Sequence, residues 1–210
     1  MSSYSSALGW NQYYQHRPPL TPLSPAEASL HLVTATGLGL DAPILDVGCG
    51  TSAFLAGLLA LGYANLLATD ISAAALAQHR QQLGREQADH ILWLEDDVTN
   101  PRHLAALSPV LLWHDQGLLQ ELTTLPEQAA YRHLLNHMVP PGGWVILGVR
   151  APMVENASAI SRNLAYDAEQ LAALLGDGYG IHQHFERSYV RLAEPARPYT
   201  YALFQRTLLA

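Results

Sequence analysis

A short apolar run that ends in two closely spaced glycines constrains the fold more than any other feature of this chain. The run is Ile44-Leu-Asp-Val47, and the residues Gly-Cys-Gly-Thr51 follow it directly. The run predicts a buried strand. The two glycines allow a tight turn into a helix and let a ligand approach the backbone closely. In open α/β sheets such a turn lies at the carboxyl end of a strand, where ligands bind. An ordinary strand-to-helix turn with two glycines is the alternative.

Strand-like and helix-like segments alternate along the chain, which predicts a parallel sheet covered by helices on both faces. We expect helices over 25–36, with Ser24 as its cap, and over 54–61, 73–83, 126–138 and 168–175. The strands that we expect between them are 43–47, 65–70, 90–94, 109–113 and 144–149. Residues 180–191 and 197–207 then predict an antiparallel hairpin, because no helix intervenes. The expected fold is a Rossmann-like, seven-stranded mixed sheet.

Composition excludes several classes of function. The 210 residues suit one domain, and 49% of them are hydrophobic, enough for a sizeable core. All eleven basic residues are arginine and the net charge is -7, which argues against nucleic-acid and anionic-membrane partners. A single cysteine, Cys49, excludes an internal disulfide, and we expect it to be buried and structural. The uncharged stretch Val47–Thr69 has too many glycines for a membrane span. With no secretory signal pattern, we expect a cytoplasmic protein.

Acidic residues follow three successive strands. Asp46 precedes the glycines and can accept from a cationic amine, and Asp70 ends the second strand, where an acid can bind both hydroxyls of a ribose. Ile71 beside it can cover a purine. The pair Asp96-Asp97 follows the third strand, and we expect Asp97 to face an adenine amine and Asp96 to lie in a solvated turn. Together these features predict a nucleoside-containing ligand.

With these motifs the sequence resembles the class I S-adenosylmethionine-dependent methyltransferases over about residues 8–207. The matching elements are Asp46-Val-Gly-Cys-Gly50, Thr69-Asp-Ile-Ser72, Glu95-Asp-Asp-Val-Thr99 and Pro140-Pro-Gly-Gly-Trp144. The resemblance implies S-adenosylmethionine as cofactor and a binding domain at 25–210. The aromatic residues and prolines before this domain predict a lid segment and a connector at 1–24. It implies the following cofactor-binding residues: Asp46, Gly48 and Gly50 at the methionine part, Asp70 at the ribose, Ile71, Asp97 and Val98 at the adenine, and Trp113.

More narrowly, the sequence is similar to a small bacterial subfamily akin to the elongation-factor lysine methyltransferases. That group carries a Trp-His-Asp element after its fourth strand, and Trp113-His114-Asp115 stands in that place. The likeness stops at three segments where the acceptor would bind: Leu20–Ser24, Gln116–Leu122 and Ala151–Ser158. The sequence therefore predicts the cofactor half of the site more closely than the acceptor half.

The candidate catalytic residues are His114, Asp115 and Tyr14. His114 can act as a general base, or His114 and Asp115 can orient the loop and contact the cofactor. Tyr14 belongs to an aromatic segment that either packs as a helix or forms a lid over the sulfonium. The candidate substrate-binding residues are Tyr4, Trp10, Asn156 and Tyr166, with Ser158 and Asn163 as further polar candidates. His182 and His184 alternate along a strand, but surface histidines are expected there and no metal site is predicted.

Three functions fit these features. The first is a methyltransferase acting on a small molecule, because the chain leaves no room for a docking domain. The second is a cyclase in which the cofactor's α-amine attacks its own side chain, releasing methylthioadenosine and azetidine-2-carboxylate. The third is a catalytically inactive cofactor-binding regulator. The sequence leaves open the nucleophile, the group transferred and the oligomeric state.

Overall fold

One mixed β-sheet organises the computed structural model, which describes residues 6–16, 26–152, 164–189 and 197–207. Its strands are β1 (Ile44–Val47), β2 (Leu66–Asp70), β3 (Ile91–Glu95), β4 (Leu112–Gln116), β5 (Trp144–Arg150), β6 (Tyr179–Tyr189) and β7 (Arg197–Arg206). They are arranged in the order β3-β2-β1-β4-β5-β7-β6. Strands β1 to β5 are parallel, and β7 pairs antiparallel with both β5 and β6. The Rossmann-like mixed sheet with a C-terminal hairpin is therefore confirmed.

The helices begin and end largely where local sequence signals place them. They are α1 (Ala7–His16), α2 (Glu27–Ala35), α3 (Phe54–Ala60), α4 (Ala73–Leu83), α5 (Arg85–Ala88), α6 (Leu125–Met138) and α7 (Ala168–Leu175). Ser72 caps α4 through its hydroxyl, which accepts from the Ala75 N–H, and Gly84 ends that helix. Capping boxes start α6 and α7. The expected cap at Ser24 lies outside the described residues. Within the described parts of the chain, no helix has the length and apolar character to cross a membrane.

Helices cover both faces of the sheet, so the central strands are buried throughout. On one face, α2, α3 and α4 pack over alternate strand residues such as Ile44 and Leu112. On the other face, α6 and α7 pack over their neighbours Leu45 and Trp113. Each strand therefore contributes side chains to the hydrophobic cores on both faces of the sheet. At the carboxyl edge, too, every second side chain along a strand points to the same face.

Strand β4 lies about three residues later than the sequence predicts. The apolar run 109–113 suggested the strand itself, but the N–H groups of Leu111 and Leu112 donate to the Pro43 carbonyl, and pairing with β1 begins only at Leu112. The strand therefore continues through two buried polar residues, His114 and Asp115. These residues lie inside the sheet and not in a loop after it, and specific hydrogen-bond partners satisfy their polar atoms there.

The loop after β3 is organised by a buried carboxylate. Asp96 was expected in a solvated turn, but its side chain is only 7% exposed and accepts from the N–H groups of Arg102, His103 and Leu104. Burial alone raises the pKa of Asp96, yet these backbone donors lower it below its ordinary value. Asp96 therefore holds its own loop together.

We expect Asp96→Asn to lower the free energy of unfolding by about 1–3 kcal/mol near pH 7, because an amide satisfies these donors poorly. The folded pKa is depressed, so the stabilisation exists above the ordinary pKa and is lost as the pH falls through the folded value. Urea unfolding between pH 3 and 8 measures the difference. Asp89→Asn, at an exposed position just after α5, is the matched control. An equal loss in both variants would contradict the role of Asp96.

Candidate active site

The turn between β1 and α3 has a conformation that only glycine adopts without strain. Gly48 has φ +59° and Gly50 has φ +50°. A Cβ atom at Gly48 would lie 2.8 Å from Cβ of Leu118, and one at Gly50 would lie 2.6 Å from the Tyr14 hydroxyl. Both glycines are therefore required by conformation and by close neighbours. The Cys49 side chain between them is buried, as the sequence suggested.

Asp70 connects the glycine turn to the beginning of α4. Its Oδ2 accepts from the Gly50 N–H at 3.0 Å, and its Oδ1 accepts from the Ser72 N–H at 2.8 Å. Burial raises the pKa of Asp70 to about 6, although these two backbone donors oppose the shift. Each carboxylate oxygen can accept a further hydrogen bond. Asp70 thus lies where the sequence predicted it, between the first two strand ends.

Asp97 follows the third strand, β3, and the half-buried Ile71 follows the neighbouring strand β2. Asp97 is partly exposed and accepts from the N–H and hydroxyl of Thr99 at 2.8 and 2.7 Å. Val98 is buried next to it. Since parallel strands share their carboxyl edge, the acids that end β2 and follow β3 lie on neighbouring strands.

His114 lies at the centre of a buried hydrogen-bond chain beneath the glycine turn. Its Nδ1 donates to Asp46 Oδ1 at 2.7 Å, and its Nε2 lies 2.8 Å from the Ser29 hydroxyl. The ring stacks on Phe54 with 3.6 Å between centroids. The histidine is fully buried, and both ring nitrogens are engaged. The arrangement therefore favours the second expectation for His114, a positioning role, over that of a general base.

Asp46 keeps one atom without a partner. Its Oδ2 is buried and has no hydrogen-bond donor among the described residues. A buried carboxylate oxygen without a donor is costly. The position therefore suits a ligand that brings a donor to the edge of the glycine turn.

Asp115 organises the turn after β4 from the opposite face of the sheet. Its carboxylate accepts from the N–H groups of Leu118 and Leu119 and from the Tyr131 hydroxyl at 2.7 Å. Tyr131 in turn accepts from Trp113 Nε1 at 2.9 Å. Burial raises the pKa of Asp115 to about 6, against the opposing Tyr131 hydrogen bond. This network places Leu118 against Gly48.

Trp113 was expected to contact the cofactor, and its position does not fit that role. The indole is fully buried in the core beneath α6, with no surface that a ligand could touch. Trp113 instead supports Tyr131 and, through it, Asp115. The Trp-His-Asp element is thus a scaffold within β4.

Helix α1 lies over the glycine turn and the start of α4. Asn11 Oδ1 accepts from the Ser72 hydroxyl at 2.8 Å and from the Ala74 N–H at 3.0 Å. The Gln78 side chain donates to the Tyr14 carbonyl, and the Tyr14 hydroxyl lies against Gly50. The rings of Trp10, Tyr13 and Tyr14 pack on one another, with centroids 5.1 to 6.3 Å apart. The aromatic segment is therefore both a helix and a cover of the turn.

Of the remaining predicted substrate-binding residues, Tyr166 is the one within the described part of the chain. Tyr4 and Asn156, with Ser158 and Asn163, lie outside the described residues. Tyr166 lies in a groove of about 460 Å³ between α6 and α7, where its hydroxyl accepts from Gln128 at 3.3 Å. That groove is on the opposite face of the sheet from α4, on which α1 packs. Tyr166 and Tyr14 therefore do not share a pocket.

The two histidines of β6 do not form a pair on one face. A β-bulge between Ile181 and Gln183 breaks the alternation at His182, whose ring packs edge-on against Trp144 at 5.1 Å. Among the residues that the structure describes, no group of three potential metal ligands is found.

Two site residues were missed from the sequence, Asn11 and Ser29. Ser29 interrupts the apolar face of α2, next to Leu32 and Val33, and such a buried polar residue signals a partner across the core. Asn11 gives no local signal, because its partners lie more than sixty residues away in the sequence.

We expect His114→Ala to lower the free energy of unfolding by about 2–4 kcal/mol, because it leaves the buried Asp46 carboxylate and Ser29 hydroxyl unpaired and a cavity beside Phe54. Denaturant unfolding near pH 7 measures the loss. His133→Ala, on the exposed side of α6, is the control and should have no measurable effect. Equal stability of the two variants would show that the hydrogen-bond chain carries little energy.

Comparison with known proteins finds one family model that matches the middle part of the chain and solved structures that share its fold. The family described as "Methyltransferase domain" matches residues 45–145, which include the glycine turn, Asp70 and Asp97. A methyltransferase from Anabaena variabilis is 14% identical, with a TM-score of 0.73 over 95% of this chain and 94% of that one.

Two further solved structures have the same fold. Magnesium protoporphyrin IX methyltransferase from Synechocystis, with bound S-adenosylhomocysteine, is 16% identical (TM-score 0.70, covering 98% and 97% of the two chains). The N-methyltransferase NodS from Bradyrhizobium japonicum, with the same ligand, is 19% identical (TM-score 0.69, covering 93% and 97%). No curated protein matches the sequence. Residues 45–145 therefore match a methyltransferase-domain family, and the whole chain shares its fold with these solved methyltransferases.

Proposed function

We propose that this protein transfers the methyl group of S-adenosylmethionine to a nucleophile on a small molecule. The observation that carries the proposal is the set of acids around the glycine turn, covered by α1. Asp46 and Asp70 flank Gly50, and the Tyr14 hydroxyl lies against it from above. An acidic, lysine-free chain of net charge -7 gives no support to a nucleic-acid partner or an anionic membrane surface. A cytoplasmic location is part of the same proposal.

The residues present fit the cofactor. The free Oδ2 of Asp46 suits the ammonium group of the methionine part, and the unused acceptor capacity of Asp70 suits the ribose hydroxyls. Asp97 is placed to accept from the adenine amine, and Ile71 and Val98 supply apolar surface for the ring. The glycine turn lets the methionine part approach the backbone closely.

The main task of the protein in this reaction is to align the acceptor with the methyl group. When bound, the sulfonium supplies an electrophilic methyl group, and the acceptor must be held in line with it. We propose His114 and Asp115 as positioning residues: His114 fixes Asp46, and Asp115 fixes the turn that places Leu118 under Gly48. Tyr14 acts by closing the site, where the aromatic segment excludes water. No observation in the described residues favours the cyclase.

The proposal is tested by identifying the nucleoside that the purified protein releases. The protein is incubated with S-adenosylmethionine alone and with a protein-free extract of small metabolites. We expect adenosylhomocysteine to form only when the extract is present, with the label of a methyl-labelled cofactor in the small-molecule fraction. Methylthioadenosine without an acceptor would replace the proposal by the cyclase. Absence of both nucleosides with intact cofactor binding would favour the inactive regulator.

We expect Asp70→Ala to weaken adenosylhomocysteine binding by about 2–4 kcal/mol, since two charge-assisted hydrogen bonds to the ribose are lost. The pKa of Asp70 is raised to about 6, so wild-type affinity should fall as the pH drops from 7.5 to 5 and the carboxylate is protonated. The variant should lose much of this pH dependence. Calorimetric titration measures both effects, and Asp89→Ala is the surface control. Unchanged affinity would remove the ribose assignment.

We expect Asn11→Ala to reduce turnover by about tenfold, because two hydrogen bonds that hold α1 on α4 are lost, at roughly 1 kcal/mol each. Cofactor affinity should fall less, since the contacts of the strand ends remain. Gln15→Ala, exposed on the same helix, is the control.

Removal of residues 1–16 should abolish turnover and leave a folded core. Full activity of the truncated protein would show that α1 is not a lid.

A further inference from the structure

At the carboxyl end of β5 lies a guanidinium, that of Arg150, for which the described residues provide no counter-charge. Arg150 is the last residue of the strand and is partly buried, and its Nε has no solvent exposure and no hydrogen-bond partner among the described residues. The ion pairs found in the described parts of the chain are Arg85–Asp89 and His114–Asp46, and neither involves Arg150. The Nε–H is a buried donor without an acceptor, which is costly, and the guanidinium carries a positive charge. The position therefore calls for an anion.

The backbone of Arg150 is held firmly. Its N–H donates to Oε1 of the buried Gln120 at 2.8 Å, and its carbonyl accepts from the Tyr166 N–H at 2.9 Å. A side chain that begins from a fixed backbone loses less entropy when it binds than one on a free loop. Arg150 therefore differs from the exposed arginines of this chain, such as Arg85.

A second unpartnered polar atom lies on the neighbouring strand. Gln116 ends β4, and its Nε2 donates to the Tyr201 hydroxyl at 2.7 Å, which leaves Oε1 buried without a donor. Gly148, the Cα partner of Gln116 on β5, makes room for this contact, because a Cβ there would lie 2.8 Å from the Tyr201 ring. Neighbouring strands thus carry a donor, Arg150 Nε, and an acceptor, Gln116 Oε1, that both lack a partner among the described residues.

Both groups belong to the face of the sheet that carries the Asp46–His114 pair. His114 and Gln116 alternate on β4 with the core residues Trp113 and Asp115, and Gly148 and Arg150 alternate likewise on β5. Neighbouring strands are about 4.8 Å apart and residues rise about 3.3 Å, so the backbones at Gln116 and Arg150 are separated by roughly 8 Å. One small molecule can reach both.

We propose that Arg150 and Gln116 form the acceptor subsite: Arg150 binds a carboxylate of the acceptor, and Gln116 Oε1 accepts from an N–H or O–H of the same molecule. This inference rests on the proposed methyl transfer, whose cofactor motifs lie on the adjoining strand β1. A planar guanidinium matches a carboxylate in shape and charge. In a chain of net charge -7, such a local positive group is needed to hold an anion at all. The acceptor class is therefore a small carboxylic acid that also carries an amine or a hydroxyl.

The subsite is tested with simple acids and their neutral amides. Protein saturated with adenosylhomocysteine is titrated with glycolate, glycine and benzoate, and in parallel with glycolamide and benzamide, while the thermal unfolding midpoint is followed. We expect a saturable rise of the midpoint with the acids and none with the amides. Arg150→Met should weaken the acid effect by at least about tenfold, as the loss of one charge-assisted pair predicts. Arg150→Lys should retain part of it, and Arg85→Met is the surface control.

Three outcomes would overturn the inference. One is equal response to acids and amides, and another is an undiminished acid response in Arg150→Met. The third is a lower unfolding midpoint of Arg150→Met without any acid, because that would mean the guanidinium already has a partner within the chain. A larger response to inorganic phosphate than to every carboxylate would replace the carboxylate by a phosphoryl group. Failure to bind adenosylhomocysteine would count against the proposed function, and the same acid series on the free protein would still test Arg150.

Discussion

The buried hydrogen-bond chain Asp46–His114–Ser29 is the interaction on which the site depends. It joins β1, β4 and α2 through contacts of 2.7 and 2.8 Å, and the His114 ring also stacks on Phe54 at the beginning of α3. Removing these groups from water is favourable only because each finds a partner. The glycine turn lies between β1 and α3. The hydrogen bonds of His114 and its stacking on Phe54 therefore fix both ends of that turn. The backbone that we propose to receive the methionine part is thereby set before any ligand binds.

Two acidic residues, one on each face of the sheet, hold the turns at its carboxyl edge. Asp115 and Asp70 accept backbone N–H groups of the turns that follow their strands, and burial raises the pKa of each to about 6. The folded state therefore binds more protons than the unfolded state between about pH 4 and 6, and the stability from these two groups falls as the pH rises through that window. Donors from a ligand offset this cost at Asp70, because they favour its ionised form. Asp115 is enclosed in the core, so no ligand offsets the free-energy cost of burying its carboxylate. That burial fixes the turn after β4.

The features readable from the sequence are those whose causes are local. The Ser72 cap placed α4 closely, Pro126 marked the start of α6, and the glycines after Val47 located the turn. The position of β4 was wrong because its start is decided by pairing with Pro43 and β1 and not by the apolar run 109–113. Asn11, Ser29 and Arg150 were missed for the same reason: each is defined by partners, or by the lack of one, on distant elements.

This difference explains why the cofactor half resembles a family and the acceptor half does not. The cofactor residues follow β1, β2 and β3, so their spacing along the chain is set by short strand-to-helix turns. The acceptor subsite combines the last residues of β4 and β5 with Tyr201 of β7, and the sheet alone brings these together. Glycine at 148 leaves room for the ring of Tyr201 on the neighbouring strand β7 and for the side chain of Gln116. A change of acceptor can therefore be accommodated at Gln116 and Arg150 without disturbing the hydrogen-bond chain through His114, because the two sets meet only through the backbone of β4.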